Sequence, residues 1–522
     1  MKKFTLLGMT ILTMLMANNA VQELPIGFTD WEWANRHLIQ EMGGRQTDPP
    51  ASPIRNIAEF ERMEGVLIRY PFGISTAIIG EMAEDVTVYC LVSSGQQTSA
   101  YNSMNGAGVD MDNVEFIIGP TDSYWTRDYG PWWVVDGNNE IGVVDFTYNR
   151  PRPNDNQAPL KMSQHLDTPY FDSDIIHTGG NYMTDGLGIS ASTDLVHEEN
   201  PGMTDEEVFQ LMEEYYGIDT YHTLPDPNNT YIDHIDCWGK LLSPTTVMIR
   251  SVPDSHAQYD ELEATANYFA THLTSFNEPW EVVRVYTPNN QPYTNSLILN
   301  DKVIVPIMNS QWDEDALAVY QEALPGYEVL GFTGSWESTD ALHCRTKGIP
   351  DLQMLQMFHN PINDQEFPQE SYEVLVTIIP LSQTELIAAE LYVAWKNAFM
   401  DQYETVLLTG TENADEFSAF IPNQPDDTEV HYFIHAADES GRVENLPMAG
   451  YYAFDALGGL PSVPGDVNQD GSLNVLDIVE IVAHILGSNP IEGYALVLAD
   501  ANDDGFINVL DVIAIINQIV GG

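Results

Sequence analysis

The sequence predicts an α/β domain, then a β-sandwich, then a small α-helical module. Three patterns carry that expectation. Residues 50–355 alternate short apolar strands with helical periods, as in an α/β architecture. Residues 370–456 read as short alternating strands separated by polar turns, which suits a small sandwich. Residues 464–522 hold a repeat at an offset of 34 residues, each copy followed by an apolar helical run. A chain of 522 residues exceeds what one ordinary core organises.

The elements follow in chain order. Met1-Lys2-Lys3, an apolar run to about Met16 and small or polar residues to Ala20 have the layout of a secretory signal peptide. The run is too short for a permanent membrane anchor. The mature chain is therefore expected to be secreted or held at the cell surface, beginning near residues 18 to 22, with no membrane insertion. Val66–Tyr70, Val114–Ile118 and Val303–Pro306 read as strands, and Asp205–Tyr216 and Ala257–Leu273 as helices. Composition shifts near Pro350. Tyr372–Ile379 and His431–Asp438 then alternate, with turns such as Asp438-Glu439-Ser440-Gly441. No catalytic constellation appears in that sandwich, so a supporting role is expected for it.

Composition bounds the function. Hydrophobic residues make up 43% of the chain, with 10 Trp, 25 Tyr and 19 Phe, enough for large packed cores. The balance of 78 acidic to 19 basic residues gives a formal charge of −59. Such a field repels nucleic acid and anionic membranes and attracts cations. A carboxylate surface that keeps the protein soluble is the plain reading, and drawing in cationic substrate is the specific one. The cysteines are Cys90, Cys237 and Cys344, an odd count that favours free thiols over a Cys90–Cys237 bridge. Cys90 and Cys237 read as buried hydrophobes.

The terminal repeat has cation-ligand spacing. Positions 1, 3, 5, 7 and 12 are Asp466, Asn468, Asp470, Ser472 and Asp477, then Asp500, Asn502, Asp504, Phe506 and Asp511. Side-chain oxygens at 1, 3, 5 and 12 and a main-chain oxygen at 7 can surround calcium, with glycine at 6 for the sharp turn. The closing acid is Asp, shorter than the Glu of an EF-hand. This spacing, the Asn at position 9 and the duplication resemble dockerin domains. The resemblance implies Ca2+ in this module and docking to a cohesin-type partner. The segment has nine acidic residues and no Lys or Arg, so calcium is expected to fold it.

Four segments combine one thiol, one imidazole and two carboxylates. They are Trp125-Thr126-Arg127-Asp128-Tyr129-Gly130-Pro131, His234-Ile235-Asp236, Tyr293-Thr294-Asn295-Ser296 and Leu342-His343-Cys344-Arg345-Thr346. Asp128 and Asp236 can grip a planar guanidinium. Cys344 can attack its carbon as thiolate, and His234 can move the protons. His343, next to Cys344, is expected to point the other way. Taken singly, each residue has a structural alternative: a buried ion pair for Asp128, a hydrogen-bonded pair for His234 and Asp236, an inert core thiol for Cys344.

With Tyr148–Asn156, His177–Tyr182, Ala191–Pro201 and Tyr231–Lys240, these segments resemble the guanidino-group-modifying superfamily. They resemble most closely the bacterial, Porphyromonas-type peptidylarginine deiminases. The resemblance spans most of residues 50–350. It implies a pseudo-symmetric α/β propeller, an immunoglobulin-like sandwich after it, and a covalent thiouronium intermediate with no cofactor for catalysis. It also implies that Asn295 orders the thiol side. Trp125, Arg150, Arg152, Tyr231 and Thr339 fall at substrate-pocket positions, the two arginines facing the carboxylate of a peptide's C-terminal arginine. Surface salt bridging is the plain alternative for that pair. The stretch Gly331–Ser338 reads as shorter than in the relative, and the tail is dockerin-like rather than a secretion-type domain. Agmatine deiminase uses the same four residue types but gives Arg150 and Arg152 no task. A non-catalytic scaffold borne by the dockerin is the reading from another class.

Overall fold

The structure is a computed structural model. It describes residues 23–44, 47–230, 232, 234–365, 367–424, 427–458, 464–468, 472–491, 494–502 and 504–521. The expected signal segment, Tyr231 and Asp470 lie outside these residues. The chain divides into two compact units, Met1–Met354 and Leu355–Gly522.

The first unit repeats one motif five times. In each repeat a short inner strand pairs antiparallel with a second strand, a helix follows, and a third strand returns parallel to the second. The repeats begin at Trp132–Val135, Met183–Thr184, Gly239–Leu241 and Leu297–Leu299. Their parallel partners are Ile141–Tyr148 with Tyr170–His177, Ile189–Thr193 with Thr220–Leu224, Thr246–Ser251 with Glu281–Tyr286, and Lys302–Ile307 with Glu328–Thr333. The fifth sheet is shared between the chain ends. Its inner strand, Lys347–Pro350, pairs antiparallel with Met63–Arg69, which continues in parallel to Thr87–Val92 and Val114–Ile118. The pairing of Lys347–Pro350 with Met63–Arg69 closes the ring, giving the propeller-like α/β fold expected.

Local chemistry explains the crossovers. Thr204 caps the helix Asp205–Tyr216 in a reciprocal capping box with Glu207, and three acids in its first turn favour the positive helix end. Its apolar stripe of Val208, Met212, Tyr215 and Tyr216 is buried against Val144, Phe146 and Tyr182. Gly217 ends it at φ 65, a conformation that other residues adopt with strain. The helix read as 257–273 spans Tyr259–Thr271.

The second unit opens with two antiparallel sheets. One contains Leu355–His359, Ser371–Pro380, Glu416–Pro422 and Thr409–Gly410, and the other Glu404–Leu407, Tyr392–Asn397, Thr428–Ala437, Val443–Leu446 and Tyr452–Ala456. Alternate residues share one core: Tyr372, Val374, Val376 and Ile378 from one sheet, Val430, Tyr432, Ile434 and Ala436 from the other. That is a β-sandwich. It takes in Leu355–His359, ahead of the expected boundary at 370, because this strand pairs along its length with Ser371–Pro380.

The terminal module has helices Val475–Ile485, Tyr494–Ala499 and Val509–Gly521. Val467, Ile481, Ile491, Ala499, Val512 and Ile515 form its core. Asp477 and Asp511 are buried and tie their loops: Asn468 N and Asn474 N donate to Asp477 at 3.2 and 2.8 Å, and Asn502 N and Asn508 N to Asp511 at 3.3 and 2.8 Å. Among the described residues no group of three His, Cys, Asp or Glu side chains has metal-holding geometry. The loops offer asparagine and main-chain oxygens beside their carboxylates, and these suit a hard cation. Among the described residues no helix is long and apolar enough to cross a membrane.

Gly217 gives a direct test of the crossover geometry. A Cβ there would stand 2.1 Å from the Ile54 carbonyl oxygen. Gly217→Val is expected to lower unfolding free energy by about 1–3 kcal/mol, read from the denaturant midpoint of the first unit's transition.

Candidate active site

The ring topology explains where the site lies. Each repeat contributes the turn just before its inner strand. Asp128 is in the short helix Thr126–Tyr129 and Gly180 in the turn Gly179–Asn181. Asp236 is in the turn Ile235–Cys237, with His234 at its head. Asn295 precedes Leu297–Leu299, and Cys344 is in the turn His343–Arg345. Segments 216 and 219 residues apart in sequence thus meet: Arg127 Nε donates to the His343 and Thr346 carbonyls at 3.4 and 3.0 Å.

Asp128, His234, Asp236, Asn295 and Cys344 are all buried. Neither carboxylate oxygen of Asp128 has a hydrogen-bond partner, nor does either ring nitrogen of His234. His234 Nδ1 stands 3.7 Å from Asp128 Oδ1. Unpaired buried polar atoms are costly, and two such groups side by side mark a place built for a ligand. Gly180 shows where they converge. A Cβ added there would lie 2.6 Å from Asp128 Oδ1, 2.8 Å from His234 Nδ1 and 3.2 Å from Asp236 Oδ2. Any side chain at this position would fill the space the three groups share.

The two carboxylates differ. Burial, with Asp236 beside it, raises Asp128 well above the usual carboxylate range, although Arg150 and Arg152 oppose this. Burial also works to raise Asp236, but the hydrogen bond and charge of His343, then His234 and Arg127, hold it below its ordinary value. Burial lowers His234 to about 3, so the ring is neutral near pH 7. Burial and the surrounding acids, Asp236 first, raise Cys344 well above the usual thiol value. The unliganded site thus holds a thiol and a neutral imidazole.

Asn295 grips the turn that carries Cys344. Its Nδ2 donates to Cys344 Sγ at 3.2 Å, and its Oδ1 accepts from His343 N and Ala341 N at 3.0 and 3.2 Å. Cys344 Sγ lies 3.5 Å from Asp236 Oδ2. Cys237 Sγ approaches the other oxygen of Asp236 at 3.7 Å and the Thr339 carbonyl at 3.4 Å. All three cysteines are free, so Cys90 and Cys237 are not bridged.

His343 departs from expectation. Its Nδ1 lies 2.8 Å from Asp236 Oδ2 and its Nε2 2.6 Å from Glu59 Oε2. Strand-like alternation would send neighbours to opposite faces, but this segment is a 3-10 turn with about three residues per turn. Both His343 and Cys344 therefore reach Asp236. Glu59 is a further residue that the motifs do not reveal. It meets Arg127 Nη2 at 3.0 Å, Lys240 Nζ at 2.7 Å and the Ile298 amide at 3.0 Å. Burial opposes its charge, but His343, Lys240 and Arg127 hold it well below the usual range. A cavity of about 50 Å³ borders Glu59, Arg127, Asp236, Lys240, His343 and Lys347. The only local sign of Glu59 is an acid next to apolar Ile57, Ala58 and Phe60.

The expected pocket residues divide. Trp125 is buried beside the Arg345 guanidinium, 5.3 Å from its ring centre. Arg345 ties this side to Asp340 at 2.6 Å and to the Ser335 carbonyl at 3.0 Å. Thr339 is buried next to Cys237. Arg150 and Arg152 are buried, not on the surface, and they hold an N-terminal segment. Arg150 Nε donates to the Ile26 carbonyl at 3.1 Å. Arg152 Nε donates to Glu32 Oε1 at 2.7 Å, and its Nη2 to the Pro25 and Gly27 carbonyls at 2.6 and 3.0 Å.

Known proteins match two parts of this chain. Residues 58–350 match the profile of the Porphyromonas-type peptidyl-arginine deiminases, and residues 464–520 match the type I dockerin domain. Two curated relatives carry agmatine deiminase as a provisional name. One, from Mycoplasma mycoides, is 23% identical over 48% of this chain and 79% of its own length. The other, from Yersinia pseudotuberculosis, is 25% identical over 46% of this chain and 77% of its own. Solved structures share the fold. Agmatine deiminase of Enterococcus faecalis superposes with a TM-score of 0.53 at 18% identity, covering 59% of this chain and 99% of its own. A Porphyromonas gingivalis protein provisionally named an arginine deiminase gives 0.51 at 19% identity, covering 57% and 98%. With the matched profile spanning more than half of its length, the chain belongs to the Porphyromonas-type peptidyl-arginine deiminase family and ends in a type I dockerin domain.

Proposed function

We propose that this protein is an exported deiminase that converts peptidyl arginine, preferably C-terminal, to citrulline and ammonia. The observation that carries the reading is the pair of unpartnered, buried Asp128 oxygens, one of which converges with Asp236 on the space beside Gly180, with the Cys344 thiol 3.5 Å from Asp236. A guanidinium between the carboxylates supplies the missing donors and charge. Its arrival favours ionisation of Cys344, whose thiol is otherwise held protonated by the same acids. The thiol proton passes through His234 to the departing nitrogen as sulfur bonds to the guanidinium carbon and the carbon–nitrogen bond breaks. Ammonia leaves a thiouronium. Water, deprotonated by His234, adds to that carbon, and carbon–sulfur cleavage returns the thiol and citrulline.

Arg150 and Arg152 favour a peptide end over agmatine, since they already bind a carboxylate and peptide carbonyls of this chain. The provisional names of the relatives keep agmatine as the second reading. Citrulline release from a peptide ending in arginine, compared with its C-terminal amide and agmatine, decides between them. We expect the acid peptide to be preferred and Cys344→Ala to abolish turnover. Preference for agmatine would overturn the substrate and keep the chemistry.

Glu59 and His343 act through Asp236 as positioning residues. With Glu59 ionised, a bond from each ring nitrogen requires the protonated ring or a proton shared with Asp236. His343→Gln is expected to raise KM and lower kcat/KM about 10–100-fold, with a displaced acid limb of the pH profile. An unchanged profile would sink this role.

The tail serves docking to a cohesin-type partner. Val475, Leu476 and Val479 are exposed, and so are their repeat mates Val509, Leu510 and Ile513, giving two copies of one apolar face. Calcium holds the module together. Chelation is expected to remove hydrogen-exchange protection over 475–521 while leaving citrulline production intact. Protection that persists in chelator would contradict this.

A further inference from the structure

The N-terminal segment is fixed to the arginines by more than chance packing. Its main chain is held alternately: Pro25 and Gly27 carbonyls go to Arg152, and the Ile26 carbonyl between them goes to Arg150. The Arg150 guanidinium also lies 4.4 Å from the Phe28 ring centre. At one end Glu23 pairs with Arg69. At the other, Glu32 lies buried against Arg152. Glu32 also accepts from Thr29 N at 2.7 Å in the capping box of the helix Asp30–Ala34, so its carboxylate is presented by a preformed turn.

The contacts have the chemistry of a bound peptide. Two guanidiniums take three successive carbonyls and one carboxylate. Both are buried, and Tyr148, two residues before Arg150, has its ring centre 5.8 Å from that of Tyr129, the neighbour of Asp128, so this surface adjoins the catalytic groups. The segment leaves Trp31 and Trp33 exposed, at 60% and 59%. Such a strap carries less buried apolar area than a core element and opens at lower cost.

We propose that residues 23–34 are an internal pseudo-ligand: their carbonyls and the Glu32 carboxylate occupy the surface on Arg150 and Arg152 that an arginine peptide's carboxyl end takes, and substrate must displace them. This rests on the proposed peptidyl-arginine reading. The strap competes with acidic peptide ends and is indifferent to an amidated one. Its release is the step at which carboxylate recognition opens the site.

The test uses the full-length exported chain carrying Cys344→Ala, which binds without turnover. Hydrogen exchange over 23–34 is followed while the protein is saturated with a peptide ending in arginine, with the same peptide amidated, or with agmatine, saturation being checked by calorimetry. The acid peptide is expected to speed exchange about tenfold, the worth of a lost charge-assisted bond, and the amide and agmatine to leave it unchanged. No change at saturation, or an equal change with the amide, overturns the proposal. In the active chain, Glu32→Gln is expected to lower KM for the acid peptide about tenfold with kcat unchanged, and a raised KM overturns it. Failure of the two readings is separable. Citrulline formed without an exchange response removes the strap alone. An exchange response in a chain that deiminates nothing removes the deiminase reading and keeps the strap.

Discussion

The structure depends on holding two carboxylates close together out of water. Like charges in such a place cannot both ionise without compensation. The fold resolves this asymmetrically. Asp236 receives the His343 hydrogen bond, and behind His343 stand Glu59, Arg127 and Lys240. Asp128 receives no bond. One acid is thus stabilised in its charged form by the protein, and the other has its acceptors left for a cation from outside. A guanidinium, planar and permanently charged, satisfies both. Selectivity for a cation follows from this imbalance before any contact farther along the substrate is considered.

That imbalance requires the ring to close. Asp128, Gly180, Asp236, Asn295 and Cys344 each precede the inner strand of a different repeat, so no single repeat contains a working pair. The pairing of Lys347–Pro350 with Met63–Arg69 brings the last turn beside the first. Asn295 then fixes the nucleophile's loop through its main-chain donors. Gly180 is the complementary case, contributing by lacking a side chain. The repeats differ in what their equivalent turns carry, which is how a near-symmetric scaffold makes an asymmetric site.

Local patterns were legible, and long-range neighbours were not. The helix Asp205–Tyr216 announces itself through Thr204, Glu207 and Gly217, all within a few residues. The catalytic residue types could be listed in order because their chemistry restricts the choice to thiol, imidazole and carboxylate. Glu59 could not, since a buried acid is identified by cations that arrive from residues 127, 240 and 343. His343 was expected to point away from Cys344, but its backbone winds as a 3-10 turn that brings both side chains to Asp236. Arg150 and Arg152 were read as binding a substrate carboxylate, and the partners the fold gives them, Ile26 and Glu32, lie 124 and 120 residues upstream, beyond the reach of any local pattern. The strand Leu355–His359 was missed for a similar reason: five residues declare themselves only through the partner they pair with.

Charge composition and site electrostatics run opposite ways here. The chain has 19 Lys and Arg against 78 acids, yet Arg69, Arg127, Arg150, Arg152, Lys240, Arg250, Lys302, Arg345 and Lys347 are buried. Basic residues seldom go inside without partners, and here Glu32 and Asp340 are buried with them while the half-buried Glu23, Glu59 and Glu81 pair from the edge. The surface nonetheless stays strongly acidic, with 78 acids to 19 bases in the chain. Such a field draws in a cationic side chain over distance, while a peptide's terminal carboxylate is repelled until it comes within reach of buried guanidiniums. On the proposed substrate, the two ends of a terminal arginine would meet opposite fields, and Arg152 already holds a carboxylate, that of Glu32.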